Sequence, residues 1–115
     1  MLIIKQPSLP PENSAFLQIR GGYKILVDKD RLEFLKQFNW FLLKSASTIY
    51  PVTRRIRNGK TYTVRMHRLL TAAPDHMKVH HINHNSLDCR LDNLAVITER
   101  EHRHFDGWHI FEQKA

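Results

Sequence analysis

Val79-His80-His81-Ile82-Asn83-His84-Asn85-Ser86-Leu87-Asp88-Cys89-Arg90-Leu91-Asp92-Asn93-Leu94 is the stretch that decides the fold, and His102 follows it after a short apolar run. Lys78 to Ile82 read as a strand, residues 83 to 92 as a polar loop, and Ala95 to Ile97 as a second short strand. Thr98 and Glu101 form a Thr-x-x-Glu capping box, so a helix is expected to start there and run to about Asp106, with Gly107 placed to end it. The order is strand, loop, strand, helix. Neighbouring strand residues face opposite sides, so one of His80 and His81 can turn toward a metal while the other points elsewhere. A helix packed on this hairpin would bring His102 back beside His80. Two ligands, a base and a group that holds the base are what one-metal phosphodiester cleavage needs, and His-His, Asn and His supply those residue types.

Upstream, Pro7, Pro10 and Pro11 mark an extended lead-in. Phe16 to Ile19 and Tyr23 to Val27 read as a hairpin turned by Gly21-Gly22. Asp28 is a good helix N-cap, Val27 and Leu32 fall at hydrophobic-staple positions, and Leu32, Leu35 and Phe38 recur at helical spacing. Trp40 to Lys44 form another expected strand. Thr48 to Arg57 and Lys60 to Arg65 flank Asn58-Gly59, a strong hairpin signal because both turn residues tolerate positive φ. Met66 to Ala73 read as a short helix ended by Pro74.

The chain has 115 residues, 42% apolar and 25% charged, which suits one globular unit with a modest core. Its net charge of +7 points to a polyanionic partner. Cys89 is the single cysteine, which excludes an internal disulfide and a Cys-rich zinc site and suits a reducing cytoplasm. Met1 to Ile4 is too short an apolar run for a signal peptide or a membrane span. A soluble, cytoplasmic protein that does not engage membranes is expected; its oligomeric state, monomer or homodimer, is left open.

Arg54, Arg55, Arg57, Lys60, Arg65 and Arg68 cluster on the second hairpin and the helix after it, and no acidic residue occurs from 45 to 74. That pattern fits a ribbon lying on phosphates, against the plainer reading of a solvated face. Strand alternation splits these charges over two faces, so they cannot all touch one duplex. Tyr50 and Tyr62 read as sheet packing or stacking platforms, and Trp40 and Trp108 as core. His84, His104 and His109 read as surface residues, and His67 as a hydrogen-bonded brace for the motif strand.

The motif resembles the HNH endonucleases, also called ββα-metal nucleases. The phage-type pattern DHxNxxxLDNRxxNL is close to His80-His81-Ile82-Asn83 followed by Leu87-Asp88-Cys89-Arg90 and Asn93-Leu94. Met66-His67-Arg68-Leu69-Leu70 is similar to the MHRLI segment that precedes the motif in that group. Val27-Asp28, Asp30 and Trp40 are similar to its VDxxD…W opening. The resemblance covers roughly residues 16 to 103.

The resemblance implies an α+β protein: a small N-terminal sheet with a helix and a basic hairpin over residues 1–73, contacting DNA, then a ββα-metal nuclease core over 74–115, the two forming one compact unit. It implies a DNA endonuclease and phosphodiester hydrolase of homing type, from a phage or mobile element, acting in the host cytoplasm. His81 would be the general base, Asn93 would orient His81 or its loop, and His80 and His102 would hold one divalent metal ion. Mg²⁺ or Mn²⁺ is expected, with Zn²⁺ or Ni²⁺ as alternatives. His80 stands where Asp is usual, Cys89 where Asn is common, Ala95 where Arg is common, and His102 where many phage relatives have Asn. Asp106, one turn beyond His102, is a candidate extra ligand. The competing readings are a catalytically inactive DNA-binding module and a structural metal module with an RNA partner.

Overall fold

Gly21 (φ +88°) and Gly22 (φ +81°) take left-handed backbone that most side chains resist, and they let β1 (Ser14–Gln18) fold back on β2 (Lys24–Asp28) as an antiparallel pair. The structure is a computed structural model and describes residues 9–45 and 48–101. Pro7, His102, His104, Asp106, Gly107, Trp108 and His109, and with them the expected end of the last helix, lie outside the described residues.

After β2 the chain makes one turn of 3₁₀ helix (Lys29–Arg31) and one of α-helix, α1 (Leu32–Leu35). The sequence pointed to a helix capped by Asp28. The cap is not made: Asp28 gives no side-chain bond to the helix, and its carboxylate instead accepts from the backbone N–H of Leu91 at 2.8 Å. A tertiary contact has taken the group that local pattern assigned to the cap.

The second sheet has the order β3-β4-β5, from β3 (Phe41–Lys44), β4 (Ile49–Arg57) and β5 (Lys60–Arg65). Asn58 (φ +52°) and Gly59 (φ +74°) close the β4–β5 turn as their sequence indicates. The helix α2 (Met66–Thr71) follows, and Ala72 ends it in left-handed backbone just before Pro74. The motif strands β6 (Lys78–His81) and β7 (Leu94–Ile97) pair antiparallel, with His80 opposite Ala95 and His81 opposite Leu94. Thr98 and Glu101 make the capping box: the Glu101 carboxylate accepts from the Thr98 N–H at 2.9 Å, and the Thr98 hydroxyl accepts from the Glu101 N–H at 3.0 Å. Helix begins at Glu99. The described chain is a small α+β protein of short antiparallel sheets and few helices.

One apolar cluster joins the parts. Leu17, Ile25, Val27, Leu35, Trp40 and Ile49 from the N-terminal elements pack with Met66 of α2 and with Leu87 and Cys89 of the motif loop. The Trp40 indole N–H donates to the Leu35 carbonyl at 2.8 Å, so the buried indole is satisfied. The motif loop is also sewn to β2 through backbone: Leu26 N–H donates to Leu87 O at 2.9 Å, and Cys89 N–H to Leu26 O at 2.8 Å. With Asp28 bonded to Leu91, three successive ties hold the loop against a strand some 60 residues away in sequence. Among the described residues no helix is long and apolar enough to cross a membrane.

Candidate active site

β6 alternation sends His80 and His81 to opposite sides, and both are buried. His81 turns toward α2, where its ring lies 5.3 Å from the ring of His67. His80 turns the other way, its ring 5.2 Å from that of His84.

His81 Nδ1 lies 3.1 Å from the backbone carbonyl of Asp88. A carbonyl only accepts, so Nδ1 carries the proton and the neutral ring keeps its lone pair on Nε2. That Nε2 is buried and has no hydrogen-bond partner among the described residues. Burial is the largest influence on His81 and lowers its pKa; the Asp88 carbonyl and carboxylate act the other way, and His84 adds to the lowering. The ring is therefore a neutral base at pH 7, with one nitrogen anchored and the other uncommitted.

Asn93 holds the anchor. Its side-chain N–H₂ donates to the same Asp88 carbonyl and to Asn83 Oδ1, each at 2.9 Å, and its Oδ1 accepts from the Asn83 N–H at 3.0 Å. Asn83 and Asn85 shape the turn, since Asn83 Oδ1 also accepts from Asn85 N–H and Asn85 Oδ1 from Leu87 N–H. His84 completes the turn at φ +63°.

Asp88 is the centre of this network. Its carboxylate, 2% exposed, is gripped by Arg90 through Nε–Oδ1 at 2.8 Å and Nη2–Oδ2 at 2.6 Å, and it accepts from Asn83 Nδ2 at 2.9 Å. Burial pushes the carboxyl up, but the Arg90 fork and the Asn83 amide more than offset it and hold Asp88 below the usual carboxylate range. Arg90 is thus committed to Asp88. Cys89 is fully buried and burial raises its thiol pKa, so it is packing rather than a nucleophile.

His67 packs rather than bonds through Nδ1, which is buried and unpartnered among the described residues. Burial lowers its pKa to about 3, and the charges of His81, Arg65 and Arg68 add to the effect. The Tyr50 ring lies 5.6 Å from that of His67, and the Arg65 guanidinium lies 5.2 Å from the centre of the Tyr50 ring. A row of side chains thus runs from the basic hairpin to His81.

The expected split of the basic residues is visible in the register. Arg55 pairs with Tyr62 and Arg57 with Lys60 on one face; Arg54 pairs with Thr63 and Arg65 with Val52 on the other. Arg68 differs from the rest. Its guanidinium donates to the carbonyls of Met77 (3.0 Å), Ala73 (3.4 Å) and Pro74 (2.7 Å), so it clamps the loop leading to β6. Among the described residues no group of three or more His, Cys, Asp and Glu side chains could hold a metal ion. Of the two expected ligands, His80 is described and His102 is not.

Residues 72–104 match the sequence model of the HNH endonuclease family. The matched stretch contains β6, the Asn83–Asp88 turn, Asn93, β7 and the capping box. No curated protein and no solved structure matches the chain.

Proposed function

With residues 72–104 matching the HNH endonuclease family, we propose that the protein is a divalent-metal-dependent DNA endonuclease of homing type with a ββα-metal core. The observation that carries this is the His81 imidazole, pinned through Nδ1–H to the Asp88 carbonyl and left with an unpartnered, buried Nε2. An orphaned buried nitrogen is a cost to the fold and calls for a use. A neutral imidazole at a fixed angle is suited to take a proton from attacking water.

In this mechanism His81 Nε2 removes the proton as the water oxygen attacks phosphorus. The charge left on the ring is shared with the Asp88 carbonyl and favoured by the Asp88 carboxylate. Asn93 keeps that carbonyl in place and so acts as a positioning residue. The 3′ oxygen departs and takes a proton from solvent water, leaving 5′ phosphate and 3′ hydroxyl ends. The imidazole of His80 fits a divalent metal by its donor chemistry, and His80 with His102 would hold it, with Asp106 as a further candidate. A bound divalent ion supplies positive charge beside the scissile phosphate and the leaving oxygen.

Arg54, Arg55, Arg57, Lys60 and Arg65 are read as DNA contacts of the N-terminal half; Arg68, expected with them, is engaged with backbone carbonyls. In this reading residues 1–73 grip DNA and residues 74–115 cut it.

Plasmid cleavage with EDTA, and with Mg²⁺, Mn²⁺, Ni²⁺ or Zn²⁺ restored singly, tests the proposal. The expected result is metal-dependent nicking or linearisation, with a melting temperature that EDTA leaves nearly unchanged. Retained DNA binding without cleavage in any metal would establish the inactive binding module. A large loss of melting temperature on metal removal would mark a structural metal instead.

A further inference from the structure

β3 begins at Phe41, opposite Val52, and β4 runs on past that point with no strand paired to that flank among the described residues. At that point a cleft of about 710 Å³ opens between β4 and the segment after α1, within the size range of small-ligand sites. Arg20, Arg54 and Arg55 line it together with Phe34, Phe38 and Phe41, and no acidic residue does. The cleft lies outside the stretch matched to the HNH family.

Arg54 and Arg55 point to opposite faces of β4 and so straddle its edge. Each guanidinium is seated over a ring: Arg54 lies 5.0 Å from the centre of Phe41, and Arg55 5.1 Å from that of Phe38. Seating a long side chain this way restricts it before any ligand arrives. Among the described residues, neither of them nor Arg20 has an ion pair with a carboxylate. Phe34 stands at the rim, 41% exposed, edge-on to Phe38 at 5.5 Å. An exposed ring of this size at the mouth of a cationic cleft is a surface on which a planar base can stack.

We infer that, within the DNA-contacting half, this cleft takes an unstacked nucleotide of a single DNA strand, with phosphates on Arg54 and Arg55 and a base against Phe34. Paired arginines match phosphate geometry, and aromatic stacking serves any base, so the site would hold strand without reading sequence. The inference rests on the DNA-endonuclease reading for its choice of DNA, and places a single-strand grip away from His81.

Fluorescence anisotropy of the full-length protein in EDTA, with one labelled oligonucleotide single-stranded and then as duplex, tests it. Phe34→Ala should weaken single-strand binding about 5- to 150-fold while duplex binding changes less than twofold. Phe34→Tyr should restore it, and Phe34→Leu serves if the alanine variant does not fold. Arg54→Ala with Arg55→Ala should flatten the salt dependence of single-strand binding by about 1.4 log units per decade, two contacts at about 0.7 each. Unchanged affinity in Phe34→Ala, equal loss on single strand and duplex, or an unchanged salt slope would overturn the site. Preference for RNA of the same sequence would overturn its assignment to DNA. Failure of metal-dependent cleavage would remove the nuclease reading and leave these binding results standing.

Discussion

Around β2 the buried side chains of Ile25 and Val27 pack with Leu17, Leu35 and Trp40; between β6 and the start of β7 the buried polar side chains include His81, Asp88 and Asn93. The first set is held by apolar burial, which has no direction and tolerates small changes of shape. The second is held by hydrogen bonds of fixed length and angle, and each member fixes another: Arg90 fixes Asp88, Asn93 fixes the Asp88 carbonyl, and that carbonyl fixes His81. Apolar packing here gives stability, and the polar network gives position. The two meet at Leu87 and Cys89, whose side chains belong to the apolar cluster while their backbone ties the network to β2.

The sharpest way to break this contrast is at its polar centre. Asp88→Ala removes the partner of Arg90 and of Asn83 together. A loss of about 3 kcal/mol is expected, at the low end for a broken buried pair because the Arg90 side chain is 29% exposed. Urea unfolding measures it, and cleavage by the folded fraction should fall as well. Asn93→Ala should cost less, about 1–3 kcal/mol for the groups left unsatisfied, yet reduce cleavage about 10- to 100-fold by loosening the His81 anchor. Stability lost with cleavage intact would show that the network is only structural.

Much of the architecture is legible in local sequence. Asn58-Gly59, Gly21-Gly22, Pro74 and the Thr98–Glu101 box are local signals, and each marks a turn or boundary that the structure contains. What could not be read was non-local. Asp28 looks like a cap because its neighbours look helical; its true partner is Leu91, 63 positions away. Arg68 looks like one more basic residue, and its use is set by the path of residues 73–77. At the site, the residue types at positions 80, 81 and 93 were visible in the motif. The role of Asp88 as the common support of His81 and Asn93 was not, because it depends on a backbone carbonyl, which every residue has.

A pH series sharpens the contrast further. His67 is held neutral in the fold, with a pKa near 3 against 6.5 when exposed. Below pH 6.5 the unfolded chain binds a proton that the folded chain refuses, so stability is full above 6.5 and falls as pH drops toward about 3. The slope due to His67 approaches about 1.4 kcal/mol per pH unit. Urea midpoints at pH 7, 6, 5 and 4 should show it, and His67→Phe should remove that part. An equal slope in the variant would place the acid sensitivity elsewhere. The smallest effect is expected in the apolar half: Ile25→Val should cost about 0.5–1.5 kcal/mol and leave the cleavage rate of folded protein unchanged. A change in that rate would mean that the apolar cluster also sets the position of His81.

The most direct test of the central claim is the rate of plasmid cleavage by His81→Ala beside wild type, in each divalent metal, with DNA binding measured in parallel. If His81 Nε2 is the base, cleavage falls by about 100- to 10,000-fold while DNA binding and fold are retained. Cleavage at the wild-type rate in the variant would contradict the assignment, and the orphaned nitrogen would then have no part in the chemistry.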